Sequence, residues 1–71
     1  MSAFFYRTNI KISTFDIVIG KDTENDITEN KPYVVRSING YDLITVKNDK
    51  GQIDIYSTEY FKPYNGEKIE L

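Results

Sequence analysis

Residues 37–56 read SINGYDLITVKNDKGQIDIY, and this stretch decides the fold. Two turn signals, Asn39-Gly40 and the NDKG of residues 48–51, divide it into segments in which apolar and polar residues alternate. A period of two is typical of β-strands, because successive side chains of a strand point to opposite faces. The stretch therefore predicts an antiparallel meander, and the question it raises is which face of the meander is the core.

The two turns predict the register of the meander. Asn39-Gly40 tolerates the positive φ angles of a two-residue type I′ turn, which would place Ile38 opposite Tyr41. A four-residue loop at 48–51, with Gly51 in the left-handed conformation, would then pair the last strand of the meander, with Lys47 opposite Gln52 and Ile44 opposite Ile55. One face then collects six large apolar side chains, which we expect to form the core: Tyr33, Val35, Ile44, Val46, Ile53 and Ile55. Full burial of each is worth about 1.5–3 kcal/mol.

The opposite face of the predicted meander is chemically mixed. The register places Arg36, Leu43 and Tyr56 in one cross-strand row, with Tyr41 beside it. Tyrosine and arginine are enriched among the residues that anchor protein interfaces, and an exposed patch of this kind often marks a partner site. Arg36, Tyr41, Leu43 and Tyr56 are therefore the candidate binding residues. The alternative is that the aromatic residues 4–6 cover this face.

The rest of the chain predicts further strands and one helical turn. Strands are expected at 4–12, 15–20, 32–38, 41–47 and 52–57, and an acidic loop at 21–31. Ser57 or Thr58 can cap a single turn that Pro63 prevents from continuing. Asn65-Gly66 predicts a last turn.

This order of elements resembles an SH3-like small barrel. The resemblance spans 14–64 and rests on residues 15–19, 31–35, 48–51, 53–56 and 58–63. It implies an all-β barrel of five to six antiparallel strands with one 3-10 turn near residues 58–61. The chain would be a single domain, 1–71, with an extra N-terminal strand at 1–13 and a C-terminal extension at 65–71.

The composition adds a second resemblance and one restriction. A short chain rich in Asn, Lys, Ile and Tyr is similar to small SH3-like proteins of Firmicute phages and prophages. The sequence has no Trp and no Ala-Leu-Tyr-Asp-Tyr segment, on which the polyproline-binding grooves of eukaryotic SH3 domains depend. The resemblance therefore does not imply binding of proline-rich ligands.

Composition also excludes several kinds of chemistry. The chain has no Cys and no His, so disulfides, the usual zinc ligand sets and Ser-His or Cys-His nucleophiles are excluded. Asp22, Glu24 and Asp26 alternate as in a calcium loop, but the positions that need Gly and an acidic residue are Ile27 and Tyr33. We expect no metal, no cofactor and, in a barrel this small, no enzyme active site.

These observations predict a non-enzymatic, cytoplasmic protein–protein interaction module, a small accessory protein whose partner is an unidentified protein. Its phage or prophage origin is what the second resemblance implies. No signal peptide or membrane span is expected. One alternative is a nucleic-acid-binding barrel, which is disfavoured by the net charge of −2 and gains weight if Arg7, Lys11, Arg36 and Lys47 gather on one face. Another is self-association, including a homodimer, through the same apolar side chains.

Overall fold

The computed structural model describes residues 2–64, which form an all-β fold. The strands are β1 (Ala3–Phe4), β2 (Lys11–Ile12), β3 (Ile17–Gly20), β4 (Pro32–Gly40), β5 (Leu43–Lys47), β6 (Ile53–Ser57) and β7 (Phe61–Pro63). Five of them form one antiparallel sheet in the order β6-β5-β4-β3-β7, and β1 and β2 form a two-stranded sheet. The predicted all-β class is confirmed.

The long strand β4 bends the five-stranded sheet around its core. Its first part pairs with β3, with Val34 opposite Ile17, and its second part pairs with β5, with Val35 opposite Val46. Two register shifts interrupt the second ladder, and such bulges increase the local bend and twist of a strand. The buried side chains form one core, whose members are Ala3, Phe5, Ile12, Val18, Ile27, Tyr33, Val35, Ile44, Val46, Tyr56 and Phe61.

A single 3-10 turn, Thr58–Tyr60, connects the two outermost strands of the sheet, β6 and β7. The side chain of Ser57 caps it by accepting a hydrogen bond of 3.3 Å from the backbone N–H of Glu59. This turn lies where the sequence predicts it. Within residues 2–64, β6 and β7 do not pair with each other, so the sheet has two open edges.

The first predicted turn is wrong. Asn39 and Gly40 belong to β4 and do not have positive φ angles, and the chain reverses at Tyr41-Asp42. Tertiary contacts explain the difference. The carbonyl of Tyr41 accepts a hydrogen bond of 2.8 Å from Phe4 N–H, and the carbonyl of Asp42 accepts one of 2.8 Å from Thr58 N–H. These bonds fix the reversal two residues later than the local turn preference.

The second predicted turn is in the right place but is one residue too short. Gly51 has the expected positive φ, 78°. The loop nevertheless runs from Asn48 to Gln52, because Asn48 Oδ1 accepts hydrogen bonds of 3.0 Å from the N–H groups of both Lys50 and Gln52. Lys47 therefore pairs with Ile53 rather than with Gln52.

This shift of one residue turns β6 over, because neighbouring residues of a strand face opposite sides. Of the six predicted core residues, the four on β4 and β5 are buried, but Ile53 is 54% exposed and Ile55 is 60% exposed. Tyr56, predicted on the mixed face, is only 8% exposed and lies in the core.

The N-terminal segment is a hairpin rather than one strand. Ala3 pairs with Ile12 and Phe4 with Lys11, and Arg7, with φ 57°, lies in the connection. Ala3, Phe5 and Ile12 are buried in the core, so the hairpin completes it. The predicted turn at Asn65-Gly66 and the extension at 65–71 lie outside the described residues.

Candidate protein-binding edge

The structure does not bring the four candidate binding residues together. Tyr56 is buried opposite Ile44, its hydroxyl donating a hydrogen bond of 2.6 Å to the carbonyl of Asn25, so the predicted row of Arg36, Leu43 and Tyr56 is wrong. Arg36 lies at a register shift of β4, and Leu43 pairs with Ser57. Arg36, Tyr41 and Leu43 are exposed.

The N-terminal hairpin contacts Tyr41, as the alternative prediction expected in part. The rings of Phe4 and Tyr41 stack with 4.9 Å between centroids and 29° between planes. The hairpin does not bury Tyr41, whose side chain stays largely exposed. Tyr41 is therefore a partly covered residue at the tip of the β4–β5 hairpin.

The outward face of β5 and β6 carries an apolar surface, and two of its three side chains, Ile53 and Ile55, were expected in the core. Leu43, Ile53 and Ile55 make up this group, called here the β6 surface. Ile53 lies opposite Lys47, and Ile55 lies opposite Thr45, diagonal to Leu43. Isoleucines exposed in this way on an outermost strand are a feature that sheet proteins normally avoid. Asn48 is the residue from which this surface could have been predicted. An Asn side chain can accept a hydrogen bond from the backbone N–H two residues later, which can lengthen a turn and so change which face of the next strand is exposed.

The backbone of β6 also faces outward at the same positions. Antiparallel ladders alternate between pairs that exchange hydrogen bonds and pairs that do not. The bonds Asn48 N–H to Gln52 C=O and Thr58 N–H to Asp42 C=O, both 2.8 Å, set this alternation. By the alternation, the even-numbered residues of β6 bond to β5, whereas the N–H and C=O groups of Ile53 and Ile55 point away from it.

Asp54 lies between the two isoleucines and on the other face of the strand. Its carboxylate is exposed and accepts a hydrogen bond of 3.0 Å from Asn48 Nδ2. The same Nδ2 lies 3.3 Å from the hydroxyl of Tyr56, so Asp54 is held at the rim of the core. The free edge of β6 thus combines an apolar outer face with one negative charge on its inner side.

The two edges of the sheet differ in how they are protected. β7 contains Lys62 and Pro63, both exposed, which are residue types that discourage pairing with a further strand. β6 contains neither residue type, and its outward backbone groups belong to Ile53 and Ile55. Of these two edges of the five-stranded sheet, β6 is therefore the better suited to accept another strand.

A polar network next to β6 holds the acidic loop to the 48–52 turn. Asp49 accepts hydrogen bonds from Lys31 Nζ (2.6 Å), Thr28 Oγ1 (2.6 Å) and Tyr33 OH (2.8 Å). Burial by itself raises the pKa of Asp49, but these three donors outweigh it and hold the pKa below its ordinary value. The hydrogen bond to Asp49 raises the pKa of Lys31, and burial raises the pKa of Tyr33. Because every member has a structural partner, this network supports the fold of the loop.

Phe15 is a second unusual exposed group. It is 76% exposed and has a φ of 72°, a conformation that bulky side chains rarely adopt. Its N–H donates a hydrogen bond of 2.7 Å to the carbonyl of Val35, which holds the turn before β3. Nearby, a cleft of about 230 Å³ lies between the N-terminal hairpin, β3 and β7, lined by Phe5, Ile10, Lys11, Asp16, Ile17, Pro63 and Tyr64.

The described residues offer neither a metal-binding cluster nor a membrane-spanning helix. Among residues 2–64, no group of three or more His, Cys, Asp or Glu side chains is placed to hold a metal ion. The same part of the chain contains no helix with the length and hydropathy needed to cross a bilayer.

No protein-family model, curated protein or solved structure matches this chain. The site is therefore interpreted from its own residues.

Proposed function

We propose that this chain is a non-enzymatic protein–protein interaction module that binds its partner at the β6 surface. One observation carries the proposal: Ile53 and Ile55, 54% and 60% exposed, project from the outermost strand of the sheet. Burying such a side chain at an interface releases apolar surface from water, and full burial is worth about 1.5–3 kcal/mol. Leu43 extends the same surface onto β5.

The proposal keeps the SH3-like fold as its architectural part. In support, the chain contains the elements of the resemblance in order: a strand, the loop 21–31, a three-stranded meander, a 3-10 turn and a last strand that returns to β3. The role as a small accessory protein, the cytoplasmic location and the phage or prophage origin stay predictions. So does the absence of catalytic activity.

The unequal edges of the sheet support β6 as the binding edge. A protein that only needed to stay monomeric could protect both edges in the way that Lys62 and Pro63 protect β7. On β6 the side chains that face outward are isoleucines, which raise the risk of aggregation. A binding role for Ile53 and Ile55 explains why this risk is tolerated.

The test is capture of partners by the full chain and by a variant with a charged β6 surface. Ile53→Lys/Ile55→Lys keeps aliphatic stems on the strand while adding two charges, so the fold should survive. The matched control, Asn9→Lys/Thr14→Lys, adds the same charge at exposed positions far along the chain from β6. Proteins retained from a lysate of the source cells are quantified by mass spectrometry for all three forms.

We expect at least one protein to be retained by the wild type and by the control but lost from the β6 variant. Identical sets of retained proteins for the β6 variant and the wild type would contradict the proposal. A circular dichroism spectrum of each form, recorded first, shows that a loss of binding is not a loss of folding.

The nucleic-acid alternative receives less support from the charges. Lys47 ends β5 opposite Ile53, whereas Arg7 and Lys11 belong to the hairpin whose Phe4 stacks on Tyr41, in the turn that precedes β5. Lys47 therefore lies away from Arg7 and Lys11 rather than beside them. Retention on heparin that falls steeply with added salt would reverse this preference, because phosphate neutralisation releases counterions.

A further inference from the structure

We infer that the β6 edge binds an antiparallel strand of a partner protein, and that this strand carries a basic residue between two apolar ones. The inference rests on the proposed function and specifies the chemistry of the partner. It follows from three properties of the edge: its free backbone groups, its outward isoleucines and the charge of Asp54.

The backbone groups require an extended segment. At Ile53 and at Ile55, one N–H and one C=O point away from β5, spaced two residues apart. No strand in the described part of the chain pairs with this edge. Another antiparallel strand satisfies such a row of alternating donors and acceptors, as in β-strand addition.

The side chains of β6 specify which residue types the partner strand should carry, and in which order. In the new ladder, residues of the partner opposite Ile53 and Ile55 would lie on the apolar outer face, where apolar cross-strand pairs are favourable. The residue between them would lie opposite Asp54, in a pair that exchanges no hydrogen bonds and brings side chains closest. An opposite charge there is favourable and a like charge is not, so a Lys or Arg is expected.

The same geometry disfavours a second copy of this chain. Two copies of β6 paired about Asp54 would match Ile53 with Ile55 twice, but they would also place the two Asp54 carboxylates opposite each other. Pairing about Ile55 instead would place Ile53 opposite Ser57 and Asp54 opposite Tyr56, which leaves one apolar pair, Ile55 with Ile55, in place of two. A partner with a cation at the central position has neither disadvantage, and it also complements the net charge of −2.

The probes are two synthetic peptides, acetyl-Thr-Thr-Val-Lys-Val-Thr-Thr-amide and the same peptide with Glu at the centre. Each is titrated into the ¹⁵N-labelled full chain, and amide chemical shifts report where it binds. We expect shifts centred on Ile53–Ser57 and about fivefold tighter binding of the Lys peptide, the size of one favourable cross-strand charge pair replaced by an unfavourable one. Asp54→Asn should remove the preference, and Asp54→Lys should reverse it.

A backbone variant tests strand addition separately. Ile53→Pro removes an outward N–H at the first residue of the strand, where proline is tolerated, and should abolish binding of both peptides. Ile53→Thr keeps the N–H and should retain the preference with weaker binding. If Ile53→Pro fails to fold, the variants Asp54→Asn and Asp54→Lys still show whether the β6 edge selects a basic residue.

The outcomes separate this inference from the proposed function. Equal binding of both peptides at β6 would overturn the basic specificity, and no peptide binding at β6 would overturn strand addition. Either could occur while the partner-capture experiment still shows a partner lost from Ile53→Lys/Ile55→Lys. Concentration-dependent shifts at β6 without peptide would identify a second copy as the occupant, and contacts between residues 65–71 and β6 would identify the chain itself. Both of these results would also overturn the inference.

Discussion

A pair of matched substitutions, Ile44→Thr and Ile55→Thr, tests the register of β6 on which both proposals depend. Ile44 is fully buried, whereas Ile55 is 60% exposed on the opposite face of the sheet. The register predicted from the turn signals placed both side chains in the core and opposite each other. The two registers therefore predict different results for the same chemical change.

The expected magnitudes follow from burial. Replacing Ile by Thr removes one methylene group, worth about 0.8 kcal/mol when buried, and substitutes a hydroxyl for a methyl group. At Ile44 the hydroxyl would be buried without a partner, which adds about 1–3 kcal/mol, so the total loss is about 2–4 kcal/mol. At Ile55 the hydroxyl reaches water and threonine keeps a β-branched side chain, so we expect a loss below about 0.5 kcal/mol.

Urea unfolding measures the difference, with circular dichroism or the fluorescence of the six tyrosines as the signal. Small domains of this kind have total stabilities of up to about 5 kcal/mol, so the measurement belongs near 15 °C, where stability is close to its maximum. The midpoint should fall strongly for Ile44→Thr and hardly at all for Ile55→Thr. Equal losses of about 2 kcal/mol or more in both variants would refute the register and, with it, the β6 surface.

Three further predictions concern the loop, a strained residue and pH, and each is measured as a change in the free energy of unfolding. Gly20→Ala should cost more than about 2 kcal/mol, because its Cβ would lie 2.1 Å from the carbonyl oxygen of Thr28, whereas the control Gly40→Ala meets nothing closer than 3.6 Å and should change stability by less than about 0.5 kcal/mol. Phe15→Asn should stabilise by about 0.5–1 kcal/mol, because Asn adopts a positive φ more readily; a loss of stability would contradict the strain. Asp49→Asn should cost about 1–2 kcal/mol at pH 7, and the cost should shrink as the pH falls below about 4. Folding lowers the pKa of Asp49, so its ionised carboxylate stabilises the fold at any pH above its pKa in the unfolded chain. This stabilisation is lost as the pH falls through the pKa of Asp49 in the folded chain. A cost of Asp49→Asn that does not depend on pH would contradict this.

Much of the fold follows from local sequence patterns. The period of two predicts most of the strands, and Gly51 predicts the left-handed position of its loop. The sequence predicts a cap at Ser57 or Thr58, and Ser57 provides it. Val35 and Ile44 are buried as expected. These features depend on interactions between residues close in sequence, or on hydrophobicity alone, and the sequence contains both.

The error at the first turn comes from contacts between residues far apart in sequence. The position of the first turn depends on hydrogen bonds from Phe4 and Thr58 to the reversing residues. The local preference of Asn39-Gly40 for a tight turn is worth less than these bonds and the packing of the N-terminal hairpin together. The pairing of β4 with β5 that placed Arg36 beside Leu43 is changed by these contacts. Tyr56 lies in the core for a different reason, because the loop after β5 is one residue longer than predicted.

The binding edge depends on one buried polar side chain. Asn48 is 5% exposed; its Oδ1 accepts from two backbone N–H groups of the turn, and its Nδ2 donates to Asp54. These bonds add one residue to the loop, and because the side-chain period of a strand is two, one residue decides which side chains of β6 meet water. With a four-residue loop, Ile53 and Ile55 would face the core, and the side chain of Asp54 would move to the outer face. The interactions that satisfy a buried amide therefore also create the apolar surface and place the charge that selects its partner.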